Sequence, residues 1–336
     1  MQAIFEKYNW EVLDISLINQ GLINQTWEIK TKEKEYILQT VNHTIFKDPW
    51  AIDYNINWMG SYLKKYSPHY IFTHLIPTRN GETLVEFDGK FYRAFHKLQG
   101  KSYDVLSTVQ QAKEAAAAFA NYTHSFLEAD ATQLKNTLPD FHNISLRYTQ
   151  FSQAVQNGNL ERINQSKEAI QFLQSNQSIV KTYEKFIQHS DSRKRVTHHD
   201  TKISNVLFNN QDQAICVIDL DTTMAGYFIS DVGDICRTYL CTVSEEESNL
   251  DLIQVVPDRW VGVKEGYLKI MQPHLSNFEL DHFEFSGEFL IYMQALRFLT
   301  DHLNNDSYYG AKYNGQNYVR AVNQIRLLES YRQLIL

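Results

Sequence analysis

The sequence changes character near residue 98, and this change limits the folds that the chain can adopt. Before this point, short runs rich in β-branched and aromatic residues alternate with polar turns. After it, apolar residues recur at the spacing of helices. We expect an α+β fold of two lobes, a β-rich one over residues 1–98 and a mainly helical one over residues 99–336. The predicted elements of the first lobe are strands at Leu13–Ile18, Gln25–Ile29, Tyr36–Asn42, Thr83–Phe87 and Lys90–Phe95, and a helix at Pro49–Tyr66.

Two short signals mark element boundaries in the first lobe. Asp48 followed by Pro49 is typical of a helix start, because the aspartate caps backbone N–H groups and proline suits the first turn. Asp88-Gly89, between two strand candidates, is the strongest hairpin signal in the chain, since both residues tolerate a positive φ. The lobe is expected to end in a hinge near Phe95–Gln99.

Helical periodicity dominates the second lobe. Apolar side chains recur at helical spacing within residues 109–126, 179–187 and 319–328, and each pattern predicts a helix. One island breaks the pattern, with strand-like runs at Asn205–Phe208 and Ala214–Leu220 joined by a polar turn. A short hairpin is therefore predicted inside the helical lobe.

Composition narrows the set of partners. The chain has 32 Lys and Arg against 39 Asp and Glu, a formal net charge of −7, which argues against nucleic acid because clustered cations bind phosphate backbones. The three cysteines form no C-x-x-C pair, so no zinc knuckle or disulfide framework is indicated. No apolar run approaches the roughly 18 residues that span a bilayer, and the first residues lack a targeting pattern. We expect a cytoplasmic protein with a small-molecule substrate, no membrane partner and an open oligomeric state that is compatible with a monomer.

The residues that suggest chemistry flank the predicted hairpin. An H-x-D-x-x-x-x-N pattern runs from His198 to Asn205, and Asp219 ends the second strand-like run. Phosphoryl transfer requires a carboxylate beside the acceptor hydroxyl and oxygen ligands for a hard cation such as Mg²⁺. Asp200 fits the first requirement, and Asn205 with Asp219 fits the second. Lys202 is close enough to Asp200 in sequence to offset charge on the transferred phosphate.

This spacing is the signature of the protein-kinase-like superfamily, and longer runs point to a narrower group. The run HHDTKISNVLFNNQDQAICVIDLDTTMAGYFISDVGDICR resembles the N-acetylhexosamine 1-kinases of the aminoglycoside phosphotransferase group. So do QGLINQTWEI, YILQTVNHTIFKDP, LPDFHNISLRY and ALRFLTDHLNNDSYY, so that the resemblance extends from about residue 20 to residue 326. It implies a two-lobed protein-kinase-like fold, with a small antiparallel β lobe containing one helix and a large helical lobe. It also implies transfer of the ATP γ-phosphate, with Mg²⁺, to the anomeric hydroxyl of an N-acetylhexosamine.

The resemblance assigns roles to individual positions. Asp200 matches the catalytic base, and Asn205 and Asp219 match the magnesium ligands. His198, which we group with Asp200 and Lys202 as catalytic, matches a structural residue of the catalytic loop, and Asp231 matches a residue that braces this loop. The implied nucleotide-binding positions are Gly21, Asn24, Gln39, Arg93, Phe95 and Lys97. The implied acceptor-binding positions are Arg297, Tyr308, Asp140 and His142.

Some positions and functions stay open. Gln39 stands where protein kinases place a phosphate-binding lysine on the third strand, which leaves Arg93 as one candidate for that cation. His199 differs from the residues usual in relatives, and Asp221 suits a second metal contact as well as a solvated turn. The rival functions are a kinase of the same fold that acts on an aminoglycoside, choline or homoserine, and a nucleotide-sensing pseudokinase.

Overall fold

The structure is a computed structural model that describes residues 1–18 and 23–335 of the chain. It has the predicted α+β architecture, with a small antiparallel sheet in one lobe and helices in the other, so the predicted fold class is confirmed. The elements of the first lobe are α1 (Gln2–Tyr8), β1 (Val12–Ile18), β2 (Gln25–Thr31), β3 (Glu35–Val41), α2 (Pro49–Tyr66), β4 (Leu84–Phe87) and β5 (Lys90–His96). The five strands pair antiparallel in the order β1-β2-β3-β5-β4.

The local signals of the first lobe act as predicted. The Asp48 carboxylate accepts a hydrogen bond of 3.1 Å from the Ala51 N–H, and helix α2 begins at Pro49. Asp88 and Gly89 turn between β4 and β5 with φ of 51° and 67°, the left-handed conformation that a tight hairpin requires. Capping and turn chemistry are local, which is why the sequence predicts these boundaries well.

Helix α1 was not predicted. Its seven residues are too few for a periodic signal, and its structure depends on burying Ile4, Phe5 and Tyr8 against the sheet. These side chains join Ile29 and Leu38 in a small apolar cluster on the outer face of the sheet. Tertiary packing therefore decides this element.

The second lobe carries the remaining elements. Its helices and strands are α3 (Val109–His124), α4 (Ile144–Asn157), α5 (Leu160–Gln165), α6 (Lys167–Ser175), α7 (Ser178–Gln188), β6 (Arg195–Thr197), β7 (Val206–Phe208), β8 (Ala214–Val217), β9 (Met224–Gly226), α8 (Phe228–Tyr239), α9 (Pro257–Met271), α10 (Asn277–Asp281), α11 (Phe285–Leu303) and α12 (Gln316–Ile335). The three predicted helices correspond to α3, α7 and α12. Strands β7 and β8 form the predicted hairpin, shorter than expected because the chain leaves the ladder after Val217. The pairing of β6 with β9 was missed, since three-residue strands carry no periodic signal.

One apolar core joins helix α2 to the helical lobe. Buried residues of α2 belong to the same cluster as those of α3, α8 and α11. The fully buried Asn55 of α2 also donates to the Lys135 carbonyl at 2.8 Å and to the Thr223 carbonyl at 3.0 Å. Helix α2 thus packs with both lobes, and the division of the chain at residue 98 stays a prediction. No helix in the described part of the chain is long and apolar enough to cross a bilayer.

Candidate active site

The loop between β6 and β7 is held from behind by helix α8. The Asp231 carboxylate accepts the backbone N–H groups of His198 at 3.0 Å and His199 at 2.7 Å. Asp234, one turn later, accepts the Thr201 N–H at 2.7 Å. Burial raises the pKa of Asp231 to about 6, although His198 and the two backbone bonds act in the opposite direction. This geometry supports the predicted bracing role of Asp231.

His198 lies behind the loop rather than in the cleft. Its side chain is fully buried. Its ring lies next to the rings of Phe119 and Tyr122, at centroid distances of 5.2 and 5.8 Å. Its Nε2 lies 3.1 Å from the Ile218 carbonyl, and its Nδ1 accepts the Asp200 N–H at 3.3 Å. His198 therefore ties the loop to the strand that precedes Asp219. These contacts make it a positioning residue, not a group that meets the substrate.

Asp200 stands at the centre of the site, with a quarter of its side chain exposed. Its Oδ2 accepts a hydrogen bond of 3.0 Å from the Asn205 amide and lies 3.1 Å from the Lys202 ammonium. Burial acts to lower the pKa of Lys202, but the charge and hydrogen bond of Asp200, together with the charges of Asp219 and Asp234, raise the pKa above the ordinary value. The carboxylate is thus oriented by two donors and remains open to the cleft.

Asp219 completes the cluster from the other side of the hairpin. The Ile218 N–H donates to the Asn205 carbonyl at 2.9 Å, and Asp219 follows in the left-handed conformation with φ 61° and ψ 62°. Asp219 is exposed at the surface, yet the protein around its carboxylate limits the hydration of the charge. This desolvation, followed by the charges of Asp221 and Asp200, raises the pKa of Asp219 to about 7. The three predicted oxygen-bearing side chains at positions 200, 205 and 219 therefore converge.

The donor set fits a magnesium ion. The Asn205 amide nitrogen donates to Asp200, which leaves the amide oxygen available beside the Asp219 carboxylate. Burial, followed by the charges of Asp221 and Asp200, raises the pKa of Asp219, and a bound cation would offset the effect of these charges. No cluster of three or more His, Cys, Asp and Glu side chains suited to a metal occurs within residues 1–18 and 23–335. Mg²⁺ is compatible with so few protein ligands, because it keeps waters and binds substrate phosphates.

Three of the predicted nucleotide-binding residues, Asn24, Gln39 and Arg93, belong to one group of polar contacts that includes Asp221. Gly21 lies outside the described residues. The Asn24 amide oxygen accepts the Asn42 N–H at 3.0 Å. Gln39 donates to Thr26 at 3.0 Å, and its amide oxygen accepts two bonds from the Arg93 guanidinium at 3.2 and 3.0 Å.

Asp221 is not a solvated turn residue, one of the two interpretations that the sequence left open, and both of its carboxylate oxygens have protein partners. Its carboxylate is 2% exposed and lies 2.5 Å from Arg93 Nη1, whose side chain is equally buried. Its second oxygen accepts a hydrogen bond of 2.7 Å from the Asn24 amide. Arg93, the candidate phosphate cation, is therefore already paired with a carboxylate.

The hinge differs in part from the expectation. Phe95 is buried in strand β5 and pairs with Ile37. The Lys97 ammonium binds Glu28 at 2.5 Å and Glu35 at 3.0 Å, and its backbone N–H donates to the Glu35 carbonyl. The ammonium and the backbone N–H of Lys97 are thus engaged within the sheet, and the contact of Phe95 and Lys97 with the nucleotide stays a prediction.

The acceptor side of the site is built around Arg297 on helix α11. Its guanidinium carbon lies 5.6, 5.9 and 5.4 Å from the ring centroids of Phe141, Tyr308 and Tyr309. Buried Asp301 accepts the N–H groups of both tyrosines at 2.7 and 2.9 Å and fixes this loop. The Tyr308 side chain is 72% exposed, so it borders open space rather than the core.

The segment before helix α4 closes the acceptor side. Asp140 is exposed and has a φ of 58°. Its carboxylate accepts a hydrogen bond of 2.9 Å from the Asn143 amide, and its backbone carbonyl accepts one of 2.9 Å from the Arg147 guanidinium. His142 stacks on Phe141 with centroids 4.4 Å apart. Asp140 thus shapes the turn, and its side chain also remains accessible.

His199 contacts His142 through a shared hydroxyl. Both Nδ1 atoms bind Ser230 Oγ, that of His199 at 2.7 Å, and the two rings meet edge-on. Burial, followed by the charge of His198, lowers the pKa of His199 to about 3. Burial and then His199 lower the pKa of His142 well below its ordinary value. The catalytic loop and the acceptor segment therefore meet through two neutral histidines.

A comparison with protein families places the chain. The model of the phosphotransferase enzyme family, APH, matches residues 14–256, which is most of the chain. The chain belongs to this family. The predicted class of enzyme, an ATP-dependent phosphotransferase that uses Mg²⁺, is thereby confirmed.

Solved structures agree with this phosphotransferase in fold. A spectinomycin phosphotransferase, APH(9)-Ia, in complex with ADP and spectinomycin, is 13% identical, with 99% of this chain and 97% of that chain covered and a TM-score of 0.64. An aminoglycoside phosphotransferase from Alicyclobacillus acidocaldarius is 13% identical over 100% and 96%, with a TM-score of 0.67. A microcompartment-associated aminopropanol kinase is 15% identical over 99% and 96%, with a TM-score of 0.61. Identities this low show the fold and not the acceptor.

Sequence reasoning missed several residues of the phosphotransferase site. Arg147, Tyr309 and Ser230 were given no role, and Asp221 was not linked to Arg93. A signal existed for this last pair: Gln39 replaces a cation on β3, so a buried cation elsewhere on the sheet needed a carboxylate partner. The others depend on contacts between segments far apart in the chain, which no local pattern records.

Proposed function

We propose that this phosphotransferase transfers the ATP γ-phosphate to the anomeric hydroxyl of an N-acetylhexosamine. The observation that carries the proposal is the charge of the acceptor side. Burial is the first cause that lowers the pKa of Arg147, and the charge of nearby Arg297 is the second. Among the described residues, no carboxylate forms an ion pair with either guanidinium, and the carboxylate whose charge acts on Arg147 is that of exposed Asp140. Such a site favours a neutral, hydroxyl- and carbonyl-bearing acceptor over a cation.

The rings around Arg297 support a sugar. Aromatic faces pack on the apolar C–H face of a pyranose, and the phenolic groups of Tyr308 and Tyr309 offer hydrogen bonds at the edge. Arg297 donates to Gln294 at 3.3 Å and keeps further N–H groups for ring hydroxyls or an acetamido carbonyl. We assign acceptor binding to Arg297 and Tyr308, and a supporting role to Arg147.

Asp200 is the group that meets the acceptor hydroxyl in this proposal. Two neighbouring donors, Asn205 and Lys202, hold its carboxylate in one orientation. Asp200 orients the 1-hydroxyl for in-line attack on the γ-phosphorus and accepts its proton as the O–P bond forms, while ADP leaves. Asn205 and Asp219 would hold Mg²⁺, which would supply charge neutralisation for the ATP phosphates. Lys202 adds positive charge beside the transferred group.

Two rival functions make different demands on the site. Two structural neighbours are named for acceptors that carry amines, spectinomycin and aminopropanol. A cationic acceptor of this kind, or choline, would meet the two arginines and be repelled. A pseudokinase would be expected to have lost one of Asp200, Asn205 and Asp219, whereas all three are present and grouped.

An acceptor panel tests the proposal. Purified protein with Mg·ATP is offered N-acetylglucosamine, N-acetylgalactosamine, glucosamine, spectinomycin, choline and homoserine, and ADP release is measured. Products are analysed by phosphorus NMR with proton coupling, which identifies the phosphorylated carbon. We expect turnover with an N-acetylated sugar and coupling of phosphorus to the anomeric proton. Faster turnover with a cationic acceptor would overturn the acceptor assignment, and no magnesium-dependent turnover with any acceptor would favour the pseudokinase.

A further inference from the structure

We propose that Asp221 is a positioning residue that holds the two lobes in register for nucleotide binding. This inference deepens the proposed function and rests on it only for the identity of the phosphotransfer site. One carboxylate oxygen of Asp221 meets Arg93 of strand β5, and the other meets Asn24 of the segment before β2. A single side chain of the second lobe therefore contacts both the sheet and the segment before β2.

The Asp221 end of this link is rigid. Asp221 belongs to a single 3₁₀ turn, Leu220–Thr222, that begins directly after Asp219. The Thr222 hydroxyl donates to the His198 carbonyl at 2.6 Å, which joins the turn to the catalytic loop. The next residue, Thr223, is held by Asn55 of helix α2 at 3.0 Å. A shift of Asp221 would therefore carry the metal-binding Asp219 with it.

The sheet end is equally constrained. Gln39 accepts two bonds from Arg93 and donates to Thr26, so neighbouring strands β2, β3 and β5 fix the guanidinium. Asn24, on the other arm, accepts the Asn42 N–H. Arg93 Nη1 and Asp221 Oδ1 lie 2.5 Å apart, and both side chains are 2% exposed. The ion pair thus joins two preorganised groups.

Energetics argue that this link serves geometry rather than stability. A buried ion pair gives little net stability over apolar residues of similar size, because both charges lose their hydration. Removing one partner is costly, since the other charge is then buried without a counterion. A pair of this kind at the junction of two lobes suits a role in fixing their relative position. Gln39 stands where protein kinases place a lysine on the third strand, and here it binds Arg93, which pairs with Asp221.

Nucleotide affinity tests the inference without any acceptor. Calorimetry measures Mg·ADP binding to wild type, Asp221→Asn, Arg93→Gln and the double variant, so a wrong acceptor assignment leaves the result unaffected. We expect each single variant to bind Mg·ADP at least about tenfold more weakly than wild type. The double variant should bind no more than about threefold more weakly than the single variant with the lower affinity, because the two side chains act as a unit. Affinities within twofold of wild type, or losses that multiply, would overturn the inference.

A second ion pair provides the matched control. Arg195 and Glu279 are 7% and 0% exposed and lie 2.6 Å apart, with Glu279 on helix α10. Glu279→Gln should lower the melting temperature and leave Mg·ADP affinity within twofold of wild type. If Asp221→Asn changes only the melting temperature, as this control does, its role is structural and the inference fails. If Asp221→Asn does not fold, Asn24→Ala removes only the loop arm; an unchanged Mg·ADP affinity in that variant would contradict the inference.

Discussion

The Asn205 amide nitrogen donates to the Asp200 carbonyl at 2.8 Å and to the Asp200 carboxylate at 3.0 Å. This pair of bonds makes the proposed base and the proposed metal ligand one unit. Because the nitrogen is committed to Asp200, the amide oxygen points the other way and is the atom left for a cation. A change at either residue is therefore expected to affect both proton acceptance and metal binding.

Removing the Asp200 charge should abolish most of the turnover while the nucleotide still binds. In Asp200→Asn the acceptor hydroxyl loses its proton acceptor, and general-base assistance contributes about 10²–10⁴-fold to kcat. Steady-state kinetics with the best sugar, together with Mg·ADP calorimetry, measures both quantities. A kcat within threefold of wild type would contradict the role of Asp200. Asp212→Asn, on the surface turn of the β7–β8 hairpin, is the control.

Truncating Asn205 should raise the magnesium requirement. Asn205→Ala removes one proposed ligand and one donor to Asp200, so the half-saturating Mg²⁺ concentration should rise by about 10–100-fold, the range seen when the surroundings of a metal are altered. Initial rates across a magnesium titration provide the measurement. Asn209→Ala, in the exposed turn after β7, should leave the titration unchanged, and an unshifted curve for Asn205→Ala would exclude Asn205 as a ligand.

Restoring the residue typical of protein kinases on strand β3 should harm this enzyme. Gln39→Lys places a second cation beside Arg93 and removes the amide oxygen that accepts two bonds from the guanidinium. Loss of hydrogen bonds to a charged group costs about 1.5–3 kcal/mol, so kcat/KM for ATP should fall at least about tenfold. Gln110→Lys, on the exposed face of helix α3, is the matched substitution. A rise in kcat/KM for Gln39→Lys would show that ordinary lysine chemistry is available here.

Replacing the guanidinium of Arg297 by an ammonium should lower kcat/KM for the sugar without changing KM for the nucleotide. Arg297→Lys keeps the charge but loses the planar fork that lies among three aromatic rings. We expect kcat/KM for the sugar to fall about 10–100-fold, which corresponds to one or two charged hydrogen bonds, with KM for ATP within twofold. Arg326→Lys, in an exposed pair with Glu329, serves as control. Equal losses for both substrates would place Arg297 outside the acceptor site.

Acid should destabilise the protein through His199. Its pKa falls from an ordinary 6.5 to about 3 in the folded state, so the unfolded chain binds a proton first as the pH drops. The contribution is fully present above pH 6.5 and is lost as the pH falls toward 3, by about 4–5 kcal/mol at 1.36 kcal/mol per pKa unit.

Urea denaturation at several pH values between 7.5 and 4 tests this dependence. His199→Asn, which tolerates the positive φ of 68°, should show a smaller fall in the free energy of unfolding over that range than wild type. Asp231 titrates in both proteins, whereas the comparison also includes the change in His142 when its neighbour His199 is replaced. Identical pH dependence in the two proteins would show that His199 does not titrate as its burial requires.

Local patterns predicted much of this fold. Helix α2 begins and ends where Pro49 and Tyr66 stand, and the β4–β5 turn falls on Asp88-Gly89, because capping and turn preferences act between residues close in sequence. Helix α1 and the β6–β9 pair escaped prediction. They are too short for periodicity and form only against a sheet or a loop that the rest of the chain supplies.

The sequence by itself determined the order of the lobes, the catalytic loop, and the grouping of Asp200, Asn205 and Asp219, since one loop and one short hairpin separate these three positions. Only the tertiary structure decided that Asp221 faces Arg93 and that Arg147 stands near Arg297. These partners are far apart in the chain, and whether two charges meet depends on how whole elements pack. Sequence spacing does not encode which side chains become buried, and it is burial that makes these contacts fix the geometry of the site.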